Sequence, residues 1–123
     1  MKTCLIVDDE ATMRKAQRLL IDALQLGFEV IEAEDGEKGL EICRKQLPDV
    51  ILLDWNMPVV GGYEFLLTLR GLREGDKPKV IVCTGDGDAA TILKARHAGA
   101  NEYLVKPFQS SMLVAKLHEV GFD

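Results

Sequence analysis

The chain has 123 residues, 47% hydrophobic and 28% charged, with 15 basic against 20 acidic residues and a net charge of −5. That length supports one substantial core, and the acidic balance speaks against non-specific nucleic-acid binding, which uses clustered Lys and Arg to neutralise phosphates. No apolar run approaches the roughly 18 residues of a membrane-spanning helix, and the N-terminus meets acidic residues too soon for a signal peptide, so a cytoplasmic single domain over residues 1–123 is expected.

The first apolar run, residues 4–7, is continuously hydrophobic, as a strand buried on both faces of a parallel sheet should be. It ends on Asp8 and Asp9. Met13, Ala16, Leu20 and Leu24 then recur at helical spacing, with Gly27 at the expected end of that helix. Phe28–Ala33 interleaves apolar and acidic residues, which suits an edge strand. A second helix is expected over 36–46, carrying Leu40 and Cys43, and Pro48 closes it. The run 50–53 is a third strand and ends on Asp54; a helix over 63–69 follows. The run 80–83 is the fourth strand and leads to Thr84. The next helix, 89–97, has mostly alanine for apolar content, little to anchor it, and Gly99 at its end. Glu102–Val105, short and polar at its start, is the other edge strand and leads to Lys106. Leu113, Leu117 and Val120 mark the last helix. The alternation predicts an α/β fold, a doubly wound five-stranded parallel sheet of the (βα)5 type with right-handed crossovers.

Asp8, Asp9, Asp54, Thr84 and Lys106 thus all follow apolar strands. In an open parallel sheet those points lie along the carboxyl edge, where such folds bind ligands. Three carboxylates crowded there repel one another, and a hard divalent cation with oxygen ligands relieves them. For Asp8 and Asp9 alone, helix capping is an equally good reading. Capping does not account for Asp54 and Lys106 ending two other strands. Cys4, Cys43 and Cys83 are widely spaced and read as small buried hydrophobes. His97 and His118 have no ligand-spaced partner and read as surface residues.

Four motifs together, Val7-Asp8-Asp9-Glu10, Leu53-Asp54-Trp55-Asn56-Met57-Pro58 with Gly61-Gly62, Thr84, and Tyr103-Leu104-Val105-Lys106-Pro107-Phe108, resemble the receiver domains of two-component response regulators over essentially the whole chain. The resemblance implies a flavodoxin-like sheet in the order 2-1-3-4-5. Asp54 would be the nucleophile that takes a phosphoryl group from a phosphohistidine. Asp9, Asp54 and the backbone carbonyl of Asn56 would hold Mg²⁺ (or Mn²⁺), with Asp8 acting directly or through water. Lys106 would pair with Asp54 and then with the phosphoryl group, aimed by the cis Lys106–Pro107 bond that the resemblance implies; on the residues alone Pro107 reads equally as a proline preceding a helix. Thr84 would be the switch hydroxyl and Tyr103 the aromatic switch. Trp55 is expected at the pocket mouth.

The implied partners are a histidine kinase or histidine phosphotransferase and a downstream protein bound on the face of the fourth helix, fifth strand and fifth helix, with no nucleic acid and no membrane. Such a protein catalyses only its own phosphorylation and dephosphorylation and is not a turnover enzyme. The alternative is a receiver that forms part of a longer multidomain regulator. Asn56 stands where a haloacid-dehalogenase-type phosphotransferase carries its second Asp, and Asp8-Asp9-Glu10 would repel a flavin phosphate, so neither of those readings fits. Asn56 and Asp86, two residues beyond Asp54 and Thr84, flank the approach of water to a phosphorylated Asp54; Asp86 either holds that water or caps the fourth helix.

Overall fold

The computed structural model describes residues 2–122. Strands and helices alternate throughout: β1 (Lys2–Val7), α1 (Ala11–Ala23), β2 (Phe28–Ala33), α2 (Gly36–Lys45), β3 (Val50–Asp54), α3 (Gly62–Gly71), β4 (Lys79–Thr84), α4 (Ala89–Ala98), β5 (Glu102–Val105) and α5 (Ser110–Glu119). The five strands form one parallel sheet in the order β2-β1-β3-β4-β5, so the two less uniformly apolar segments, β2 and β5, are its edges, as expected. The architecture is the flavodoxin-like fold implied by the resemblance.

The continuous apolar runs follow from burial on both faces. Successive side chains of a strand point to opposite sides. Leu5, Val7, Ile51, Leu53, Val80 and Val82 therefore pack with α2, α3 and α4, and Cys4, Ile6, Val50, Leu52, Ile81 and Cys83 with α1 and α5. Phe65 of α3 is fully buried, and burial of such a side chain contributes about 1.5–3 kcal/mol. The cysteines are free and buried. Burial pushes the Cys4 and Cys83 thiols up to about 12 and Cys43 up to about 11, so all three stay protonated and act as apolar packing.

Two helix details differ from expectation. The buried residues of α1 are Gln17 and Ile21, an i, i+4 pair, while Ala16 is exposed and Met13, Leu20 and Leu24 are half-buried. The apolar stripe is centred one residue further round than the spacing from Met13 and Ala16 implied. The helix also stops at Ala23, before Gly27; the chain leaves through Gln25 (φ 52°) and Gly27 (φ 81°). Gly99 does cap α4, at φ 113°, with its N–H donating to the Ala95 and Arg96 carbonyls.

Candidate functional site

Register brings the site together. Val7 pairs with Leu53, and Leu53 with Val82, so Asp8 and Asp54 leave neighbouring strands at one level. Thr84 pairs with Val105, which places Lys106 one residue beyond it. The Lys106 N–H donates to the Thr84 carbonyl at 2.7 Å, and the Lys106–Pro107 peptide is cis, as the resemblance implied.

Asp8 is fully buried. Its Oδ1 accepts from the Glu10 N–H at 2.9 Å and its Oδ2 from Lys106 Nζ at 3.0 Å. Asp54 is 6% exposed; its Oδ1 stands 3.4 Å from Lys106 Nζ and accepts a long, 3.4 Å hydrogen bond from the Asn56 N–H. Burial pushes the Asp54 carboxyl up to about 6 against the pull of Lys106, and the neighbouring charge of Asp8 adds to the rise. Burial draws Lys106 down, but the hydrogen bond to Asp8 and the charges of Asp54 and Asp8 outweigh it and hold the ammonium above its usual value. One cation thus sits against two buried carboxylates. The expected Lys106–Asp54 pair is present, but the shorter contact is to Asp8.

Asp9 and Glu10 are exposed, and one carboxylate oxygen from each of Asp8, Asp9 and Glu10 lies within 4.8 Å of the others. Oxygen donors of this kind suit a hard divalent cation. Asp9 also borders a cavity of about 270 Å³ lined by Glu34, Asp35 and Glu37 on one side and by Pro58, Val59 and Val60 on the other, with Glu34 paired to Lys38. The residues fit Mg²⁺ or Mn²⁺. The sequence pointed to Asp8, Asp9 and Asp54; Glu10 joins the first two here, while Asp54 meets Asp8 through Lys106.

On the other flank, Thr84 is 1% exposed and its Oγ1 accepts from the Asp86 N–H at 3.0 Å. Asp86 Oδ1 accepts from the Asp88 N–H at 3.1 Å, and Asp88 Oδ1 from the Thr91 N–H at 2.7 Å. The α4 cap is therefore Asp88, because the helix begins at Ala89, and the alternative role of Asp86 as that cap falls away. The Thr91 N–H also holds the Asp88 carboxyl below its usual value. Tyr103 is half-buried against the core, with Lys116 Nζ 5.5 Å and the Arg96 guanidinium 6.0 Å from its ring.

The Trp55 ring is half-buried and meets Tyr63 edge-on at 6.3 Å. Gly62 permits this packing: a Cβ there would lie 2.6 Å from Trp55 Cε3. Asn56, His97 and His118 are exposed. Arg14, which no sequence motif marks, donates from Nη1 to the Asp8 carbonyl at 2.7 Å. Its one signal was a position one helical turn beyond Glu10.

Among known proteins, the family model of the response regulator receiver domain matches residues 4–118. A probable chemotaxis protein CheY of Rhizobium etli is 40% identical over 118 residues, which cover 94% of this chain and 89% of that one. A probable transcriptional regulator ycf27 of Guillardia theta is 37% identical over 116 residues; there the chain spans only 44% of the relative's length. The chemotaxis protein CheY4 of Vibrio cholerae superposes with a TM-score of 0.90 at 31% identity, covering 98% of both chains. The receiver domain of the sensor histidine kinase PA1611 of Pseudomonas aeruginosa, solved with a magnesium ion coordinated in its active-site cleft, superposes with a TM-score of 0.86 at 26% identity over 98% of both chains. No helix among the described residues is long and apolar enough to cross a membrane.

Proposed function

The chain belongs to the response regulator receiver domain family, and from that membership we propose that it accepts a phosphoryl group on Asp54 and thereby controls a partner protein. The observation that carries this reading is the Lys106 ammonium held 3.0 Å from Asp8 and 3.4 Å from Asp54 at the ends of three strands. A buried carboxylate beside a fixed cation is a nucleophile with its charge stabiliser already in place. The Asp54 carboxylate oxygen attacks the phosphorus of a phosphohistidine on a histidine kinase or histidine phosphotransferase. The P–N bond breaks, and the imidazole leaves with the electron pair. Lys106 then holds a phosphoryl oxygen.

Asp9, Asp54 and the Asn56 carbonyl would hold the divalent cation, with Asp8 directly or through water, and the cation would supply neutralisation of the phosphoryl charge. Thr84 sits behind Asp86 with its hydroxyl buried, ready to turn toward a new oxyanion, and Tyr103 moves into the space it leaves. That shift reaches a groove of about 370 Å³ lined by Tyr103, Val105, Met112, Ala115, Lys116 and Glu119, a site for a downstream protein on the α4-β5-α5 face. The chain catalyses its own phosphorylation and dephosphorylation in the cytoplasm and turns over no other substrate. Residues 1–123 act either as a single domain or as the receiver of a longer regulator, the second supported by the partial coverage of the ycf27 relative.

Incubation with acetyl phosphate and Mg²⁺, followed by mass measurement, tests the reading. One labile phosphoryl group should be gained by the native chain and none by Asp54→Asn. Absence of the gain in the native chain would leave a binding adaptor without chemistry.

A further inference from the structure

We propose that Arg14 is the positioning residue of the acidic loop: by holding the Asp8 carbonyl it sets the affinity of the cleft for a divalent cation. The inference rests on the reading of Asp8 and Asp9 as cation ligands. Asp8 is locked on three sides: its own N–H donates to the Ala33 carbonyl at 3.2 Å, and its two carboxylate oxygens accept from Lys106 and from the Glu10 N–H. Its carbonyl is the link to Asp9, and Arg14 Nη1 holds that oxygen at 2.7 Å. The peptide plane that launches the exposed Asp9 is therefore oriented by a guanidinium.

That guanidinium is itself aimed. Arg14 Nε donates to Glu32 Oε1 at 3.2 Å, and Arg18 Nε donates to the other oxygen, Oε2, at 2.7 Å. Arg18 also reaches the Val30 carbonyl at 3.1 Å. Two arginines one turn apart on α1 thus share one carboxylate on the edge strand β2. The Arg14 side chain is 15% exposed, well shielded for a cation at a helix surface. A planar fork that makes both contacts at once is a task for Arg, and Lys can make only one of them.

The two physical effects of Arg14 on a cation site oppose each other, which makes the sign of a substitution decisive. Its positive charge repels an incoming cation, so its removal should tighten binding. Its hydrogen bond orients the ligand-bearing peptide, and loss of a group that holds metal ligands in place weakens a metal site about ten-fold or more. The Arg14 charge is already paired with the Glu32 carboxylate, which mutes its repulsion of a cation and favours the second effect.

Magnesium titration of the full chain, followed by Trp55 fluorescence and calorimetry and paired with metal-free thermal midpoints, decides the matter. Arg14→Met keeps the bulk and removes charge and donors, and it should bind Mg²⁺ about ten-fold more weakly. Arg14→Lys should recover much of that loss. Glu32→Gln, which keeps an acceptor for Arg14 Nε and removes the ion pair, should lower the midpoint and leave the Mg²⁺ affinity largely unchanged. Equal or tighter binding by Arg14→Met overturns the proposal, as does an affinity loss that merely follows the midpoint across the three variants. If the native chain itself fails to bind Mg²⁺, the reading of the cleft has failed and the proposal with it, an outcome distinct from native binding that Arg14→Met leaves unchanged.

Discussion

The Lys106 ammonium makes its shorter contact with Asp8, 3.0 Å away across 98 positions of sequence, and stands 3.4 Å from Asp54. This lysine is the counter-charge of two buried carboxylates at once. Lys106→Ala should therefore cost about 3–5 kcal/mol without metal, since it leaves buried charge unpaired. The loss should shrink at pH 5, below the value of about 6 to which the Asp54 carboxyl is pushed, and should be partly recovered by Mg²⁺. Urea unfolding at pH 5 and pH 7.5 with and without Mg²⁺ checks this. Phosphorylation should survive in Lys106→Ala while binding of the downstream partner no longer responds to it.

Asp54 yields a prediction with a defined pH window. Its carboxyl is pushed from 3.8 up to about 6, chiefly by burial. A carboxyl raised in the folded state favours folding while protonated, and that advantage is lost as pH rises from about 4 through about 6. Asp54→Asn removes the penalty. The metal-free mutant should match the native chain at pH 4 and exceed it by on the order of 2 kcal/mol at pH 7, and it should take up no phosphoryl group. A mutant less stable than the native chain at pH 7 would contradict the account of the buried charge.

Asp8 and Asp9 should part company under substitution. Both oxygens of Asp8 already serve Lys106 and the Glu10 amide, whereas Asp9 is exposed. Asp9→Ala should weaken Mg²⁺ binding the more, with little change in the metal-free midpoint. Asp8→Ala should lower that midpoint. In the native chain, Mg²⁺ at 100 times its dissociation constant should add about 2.7 kcal/mol. Paired titrations and melts distinguish the two residues.

The lifetime of the phosphorylated state should depend on Asp86. Water attacks phosphorus in line, on the side opposite Asp54. Asp86 is exposed, and one of its oxygens accepts from the Asp88 N–H, which leaves the other to accept from an attacking water. A solvated carboxylate's repulsion is screened, while water positioning is local. Asp86→Ala should lengthen the lifetime a few-fold and Asp86→Tyr further. Helix content should hold in both, because Asp88 caps α4. Decay that is unchanged or faster in both variants would remove Asp86 from the reaction.

Much of this molecule is determined locally and so is legible in its sequence. A strand covered on both faces must be apolar at every position, and residues 4–7, 50–53 and 80–83 are; a polar residue after such a run must emerge at the carboxyl edge, as Asp8, Asp54 and Thr84 do. The mixed composition of β2 and the polar start of β5 likewise report their places at the edges. Which groups then touch is a matter of fractions of an ångström between segments far apart in the chain. The choice of Lys106 between Asp8 and Asp54, the guanidinium of Arg14 on the Asp8 carbonyl, and the burial of Gln17 and Ile21 in place of Ala16 all depend on strand register and on the rotation of α1 against the sheet. Residue spacing carries neither quantity, because both are settled by packing the helices on both faces of the sheet at once.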